Sequence, residues 1–474
     1  MFDDDDEAEG GDEQLSNERR DSIKRYEEMV QKKEDYFFDV DALNHLIDHY
    51  FEQGELSKAL DVSRYALKLH PAQFDFMLRE SSLLAKTGNE ISALEKLKKY
   101  ELMSPDDPDL HLIRANIYSA MGDFIKAIEN YHIAIRYSDQ VAPIYHDLSY
   151  AYADAGDYDN AIKYMKKFLQ SGWQDTFAYD QLINWLLAAN RLQEGLSFLE
   201  EQIDADPYSD ASWLAYAMVC KEMKLYDKAL SGLDYCLVIA PDNIQAYLEQ
   251  GDVYFLLENY NEAINSYQNS MEYFPNNAIT FYNIGECYEH LNEFEQAREY
   301  YAKSIRLYPD LAAAWYSIGM VLSYQEKFYE AIHYLKKAVE LEAQNAEFWF
   351  ALADCESSLN HFNETIACYE NVVELDPGNE DIWAEYSLFL FENNQVDDAL
   401  DIINEGIRTL PEQAELYYYY FCFLYAAGKL EEAYLELASA LVKDYNLHPV
   451  IFEVIPDLKE NDNVIELIKS YENK

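Results

Sequence analysis

Apolar residues recur along this chain with a helical period, and the pattern repeats in blocks of 34 residues. Within a block, two stretches place apolar side chains three and four positions apart, which predicts two amphipathic helices, A and B, joined by a short turn. The clearest pair of blocks runs from Ala278 to Asn345. There Phe281 aligns with Trp315, Ile284-Gly285 with Ile318-Gly319, Ala297 with Ala331, and Tyr301 with Leu335. The register holds without insertion over residues 40–447, which makes twelve blocks, starting at 40, 74, 108, 142, 176, 210, 244, 278, 312, 346, 380 and 414.

Three positions explain how a block folds. Position 20 is Ala in ten of the twelve, with Gly195 and Thr365 as the exceptions. Two helices crossing at roughly 8–10 Å need a small side chain at the contact. Position 32 is Pro in eight blocks, Pro71 to Pro411, and proline bars its predecessor from helical geometry, so helix B stops there. Gly54, Gly88, Gly122, Gly156 and Gly428 fall in the turn between the helices, where glycine takes the left-handed conformation cheaply. Aromatic residues at position 4 (Trp213, Tyr247, Phe281, Trp315, Trp349, Trp383) and position 24 (Tyr267, Tyr301, Tyr369) are expected in the core.

A large aromatic, an aliphatic-small pair three residues on, then Ala, then a bulky residue four later, at this period, resembles the tetratricopeptide repeat. The resemblance implies an all-α, right-handed superhelical solenoid of helix-turn-helix units, capped at both ends and built to bind rather than to catalyse. The expected organisation is a disordered acidic tail over 1–16, a capping helix within 17–39, twelve repeats over 40–447 and a capping segment over 448–474. Ile23, Tyr26, Met29, Val30 and Phe37 form the apolar stripe of the first cap, and Asp462 to Tyr471 reads as the last helix.

Charge narrows the function. The chain carries 89 acids against 36 bases, a formal charge of −53. Such a field repels phosphate backbones, so nucleic acid is not an expected partner. No apolar run is long enough for a membrane span, and the acidic start MFDDDDEAEGGDE is not a secretory signal. The six cysteines form no CxxC pair, which fits buried thiols in a reducing cytoplasm. No phosphate loop, dinucleotide fingerprint or nucleophile elbow occurs. His45 and His49 share a helix face but lack a third ligand nearby. The expectation is therefore a cytoplasmic, non-catalytic scaffold for a protein or peptide, without cofactor or metal. The alternative is a regulatory or substrate-recruiting subunit of a multi-chain enzyme.

In the family, helix A lines a concave groove through positions 2, 5, 9, 12 and 13. Across the repeats those places hold sixteen acids and two bases, Lys86 and Lys221. Six of the acids sit at position 2, where a helix N-terminus favours them without any ligand. Position 5 carries no Lys or Arg in any repeat, so the basic clamp by which some relatives grip acidic C-termini is missing. The candidate partner-binding residues are Asp252, Phe255, Tyr282, Glu286, Glu289, Tyr316, Met320, Phe350, Asp354, Phe391, Tyr418 and Tyr425. Asp252, Glu286 and Asp354 share position 9, with Met320 between them, while Tyr282, Tyr316 and Phe350 run alongside at position 5. Both tracks are expected to lie outside the core and to suit a segment of basic and apolar residues.

Overall fold

The structure is a computed structural model that describes residues 5–173 and 175–472, with side chains from Arg19 onward. It holds 27 α-helices and, among the described residues, no strand. All twelve B helices begin at repeat position 17, from Leu56 to Leu430, and eleven of the A helices begin at position 1. The exception is the eleventh repeat, where helix A starts late, at Ile382. There Pro377 and Gly378 precede Asn379, whose side chain accepts from the N–H groups of Asp381 and Ile382 and delays the first turn.

One backbone device ends helix A in every repeat. Position 15 has positive φ throughout, in the glycines Gly54, Gly88, Gly122, Gly156 and Gly428 and in Asn190, Lys224, Glu258, Asn292, Glu326, Asn360 and Asn394. The N–H of position 16 then bonds back to the carbonyl of position 11, as in Asn259 to Tyr254 at 2.9 Å and Lys327 to Leu322 at 2.9 Å. This 6→1 bond satisfies a carbonyl that the helix end would otherwise orphan. In the central repeats Asn or charged residues fill this turn, and the structure puts them in the same left-handed geometry as the glycines.

The crossing of A and B is closed at position 20, where Ala59, Ala297, Ala331 and Thr365 are all without solvent exposure. Position 8 works from the other side. A Cβ on Gly285 would meet the Tyr301 ring at 2.6 Å, and one on Gly251 would meet Tyr267 at 2.4 Å. In these two repeats the missing side chain leaves the space that the Tyr267 and Tyr301 rings fill.

The position 4 aromatics correct the expectation of a plain core role. Trp213, Trp315 and Trp349 are only half-buried. Each donates its indole N–H to a carbonyl six residues earlier, in Pro207, Pro309 and Ala343. They pin the turn between repeats. Trp383 does the same to Pro377 but is buried, because Gly406 leaves room beside it.

The chain divides into two compact units, Met1–Pro241 and Asp242–Lys474. The first holds helix Asp5–Lys32 and six repeats. That helix runs through part of the segment expected to be disordered, and residues 1–4 lie outside the described residues. Acids near a helix N-terminus favour it. Tyr26 and Met29 bury against the first repeat, whereas Val30 and Phe37 stay exposed. The second unit holds six repeats and a C-terminal segment ending in helix Asp462–Tyr471. Its main core runs from Ala297 to Ile468 and takes in Ile451, Leu458 and Val464 of that segment. All six cysteines are free and buried. Burial pushes the thiols of Cys236, Cys287 and Cys368 up to about 12, which leaves them inert.

The left-handed turn gives a direct prediction. Lys224, Glu258 and Glu326 are forced into a conformation costing an L residue roughly 1–2 kcal/mol. Replacing Glu258 or Glu326 with Gly is expected to raise stability by about 0.5–1 kcal/mol each after glycine's added entropy cost. Gly88→Ala is expected to lower it by a similar amount. Urea melts of the whole chain check both, and a loss of stability in E258G would contradict the account.

Candidate partner-binding face of the second unit

The second unit's A helices are Ile244–Leu256, Ala278–His290, Ala312–Tyr324, Ala346–Ser358, Ile382–Glu392 and Ala414–Ala426. Eleven of the twelve candidate residues keep some exposure to solvent. Tyr418 does not. It is fully buried, and its hydroxyl donates to the backbone carbonyl of Asp444 at 2.7 Å. Tyr425 stays half-exposed, but its hydroxyl accepts from the Asn461 side-chain amide at 2.9 Å. Both were expected to face a partner. Asp444 ends the last repeat's own helix B, while Asn461 comes from the C-terminal segment, whose Ile451, Leu458 and Val464 join the core of that repeat.

The acids are held by tyrosines that cross from helix B. Tyr267 passes over Gly251 and donates to Asp252 at 2.7 Å. Tyr301 passes over Gly285 and donates to Glu289 at 2.6 Å. Both rings are buried as expected for position 24, but their hydroxyls emerge among the acids of the A-helix face. The paired signal was Gly at position 8 with Tyr at position 24, which repeats seven and eight share.

The aromatic track is less free than its pattern suggests. Tyr316 stacks on Phe348 of the next repeat, ring centroids 4.7 Å apart, and donates to Glu347 at 2.9 Å. Tyr282 lies 5.5 Å from the Tyr301 ring and reaches Ser317 and Glu286 with its hydroxyl. Phe391 stacks on Phe423 at 4.7 Å, and Phe255 meets Tyr260 and His290 edge-on. Tyr282, Tyr316, Met320 and Phe350 are half-buried against the core. The aromatics therefore join repeats as well as line the face, which corrects the expectation that they stand outside the core.

The electrostatics are one-sided. Burial, then Glu289 and Asp252, raise the Glu286 carboxyl above its ordinary range. Burial raises Glu289 against the opposing pull of the Tyr301 hydroxyl, and burial raises Asp354. Glu385, not among the candidates, is pushed up to about 7 by burial and by Asp354, Asp381 and Glu415. Among the described residues, no lysine or arginine forms an ion pair with Glu286, Glu289, Asp354 or Glu385. Bases of this unit pair elsewhere, as Lys303 with Glu299 and Lys336 with the buried Glu356. The first unit differs, since its face acids Asp48 and Asp75 share Arg79. An open pocket of about 870 Å³ there mixes Arg19, Arg25 and His45 with Asp21, Asp39, Asp41 and Asp48, so it presents no single charge.

Models of the tetratricopeptide repeat match residues 142–171, 242–310, 312–345 and 358–420, the first and third of these starting where an A helix starts. These segments are tetratricopeptide repeats. Solved structures similar to parts of it include MamA, at 23% identity over 35% of this chain and 97% of that one, with a TM-score of 0.33. Others are YrrB, described as a TPR protein with an unusual peptide-binding site, at 17% over 40% and 96% with a TM-score of 0.34, and PilF of Pseudomonas aeruginosa, at 20% over 46% and 97% with a TM-score of 0.39. No curated protein matches the chain. Tetratricopeptide folds are generally non-catalytic interaction scaffolds that bind proteins or peptides. Among the described residues no helix is long and apolar enough to cross a membrane.

The crowded acids predict a pH effect with a definite sign. Glu385 has a folded value near 7, above the ordinary carboxylate value of 4.5. Between those values the folded chain holds a proton that the unfolded chain has lost, so stability falls as pH rises through this window. Glu385→Gln is expected to raise the melting temperature at pH 8 and to leave it unchanged at pH 4. Glu385 keeps an exposed surface, so solvent screens the effect and its direction is the test. Thermal melts at the two pH values check it, and a drop at pH 8 would refute the assignment.

Proposed function

We propose that this protein is a non-catalytic, cytoplasmic scaffold, and that the A-helix face of its second unit binds a partner protein through an extended segment carrying basic and apolar residues. The observation that supports this reading is the set of acids without a cationic partner, Glu286, Glu289, Asp354 and Glu385, set beside half-buried aromatics. Holding like charges together raises the energy of the free protein. A lysine or arginine brought by a partner relieves that repulsion and gains charge-assisted hydrogen bonds. Tyr316 and Phe350 offer apolar area beside them, the composition from which binding hot spots are built.

The test uses a partner captured from the source cell with the whole chain. Glu286→Gln, Glu289→Gln and Asp354→Asn together are expected to slow association several-fold and to flatten its salt dependence, since open charges act mainly on encounter. Phe350→Ala is expected to speed dissociation by about tenfold or more. Tyr316 is kept intact because it joins two repeats. Binding untouched by both sets, but lost on changing the helix B residues Lys336 and Lys337, would place the site elsewhere.

A further inference from the structure

The apolar part of this face lies between two acidic parts, and the order carries information. Helix Ala312–Tyr324 has the sequence AAAWYSIGMVLSY, with no charged residue. Met320 and Tyr316 of this helix, with Phe350 of the next repeat, make an apolar strip. The helix before it carries Glu286 and Glu289, and the carboxylates facing Glu286 are Glu289 and Asp252. Beyond the strip, the carboxylates facing Glu385 are Asp354, Asp381 and Glu415. No carboxylate belongs to both sets.

We infer that the second unit reads one extended partner segment in a fixed arrangement: a basic residue at Glu286 and Glu289, an apolar stretch over Tyr316, Met320 and Phe350, and a second basic residue at Asp354 and Glu385. This rests on the binding face proposed above and adds what the partner's sequence must look like. Successive A helices at roughly 10 Å put the acidic groups about 20–30 Å apart. An extended chain advances about 3.3 Å per residue, so the two basic residues stand about 6–9 residues apart. Exposed charges are screened beyond roughly 8 Å at physiological salt, so the acidic groups act as two separate sites rather than one diffuse field. Met320, with its unbranched thioether, can adapt to differing apolar side chains in the middle.

Fluorescence anisotropy of the whole chain with labelled synthetic peptides tests this. The peptides share one composition, two Lys-Arg pairs and a set of Leu, Phe and Ser. They differ only in whether the pairs are separated by about three, seven or twelve residues, or lie together at one end. The seven-residue peptide is expected to bind about tenfold more tightly than the others at 0.15 M salt. Glu286→Gln with Glu289→Gln should remove that preference and leave the one-ended peptide little changed. Equal affinity for all four peptides, with binding still lost in F350A, would overturn the ordered arrangement while the face itself stands. If none of the four binds, or binding ignores the acidic and aromatic changes alike, both the arrangement and the face are wrong.

Discussion

The structure depends on how closely two helices can cross. With a side chain no larger than Thr at position 20, and glycine at position 8 beside Tyr267, Tyr301 and Leu335, helix B lies against helix A at the family's short distance. That distance fixes the turn, because a two-helix unit of constant length must reverse direction at the same place each time. All twelve repeats meet this with one left-handed residue and one 6→1 bond. Where the residue is Glu258 or Glu326, the chain accepts backbone strain rather than change the turn. Local geometry is thus uniform, and repeats can be stacked without adjustment.

Uniform geometry sets where variation can act. The crossing determines which atoms reach the A-helix face, and glycine at position 8 lets a helix B tyrosine be among them. Tyr267 and Tyr301 anchor acids there without spending a positive charge on them. A lysine in that place would hold the carboxylate equally well and cancel it. The face keeps its negative charge, and the core contributes polar support to it. In the first unit Arg79 between Asp48 and Asp75 does the opposite, so that part of the chain presents less uncompensated charge.

The repeat register, the helix pairs and the small crossing residues were legible in the sequence because each recurs many times. A position that is Ala in ten repeats states its steric requirement without a structure. What stayed hidden were the departures from periodicity. Tyr418 occupies the same repeat position as Tyr316, and only the packing of Asp444 and the residues after it shows that it is covered. Glu385, at position 6, falls outside the usual face positions, and only the structure shows it among Asp354, Asp381 and Glu415. The half-exposed indoles at position 4 looked like core by composition, yet their N–H groups tie down the preceding turn, an interaction that hydrophobicity cannot report. Periodic sequence reveals what every repeat does and conceals what one repeat does alone.

That the acidic, aromatic face binds, and that the outer helices do not, is the claim on which the functional account rests. Hydrogen exchange followed by mass spectrometry on the whole chain, with and without a bound basic–aromatic peptide, examines it helix by helix. The account predicts slowed exchange in Ala278–His290, Ala312–Tyr324 and Ala346–Ser358, with little change in the paired helices Phe294–Leu307, Phe328–Leu341 and Phe362–Leu375. Protection confined to those paired helices, with the first three unchanged, would contradict it.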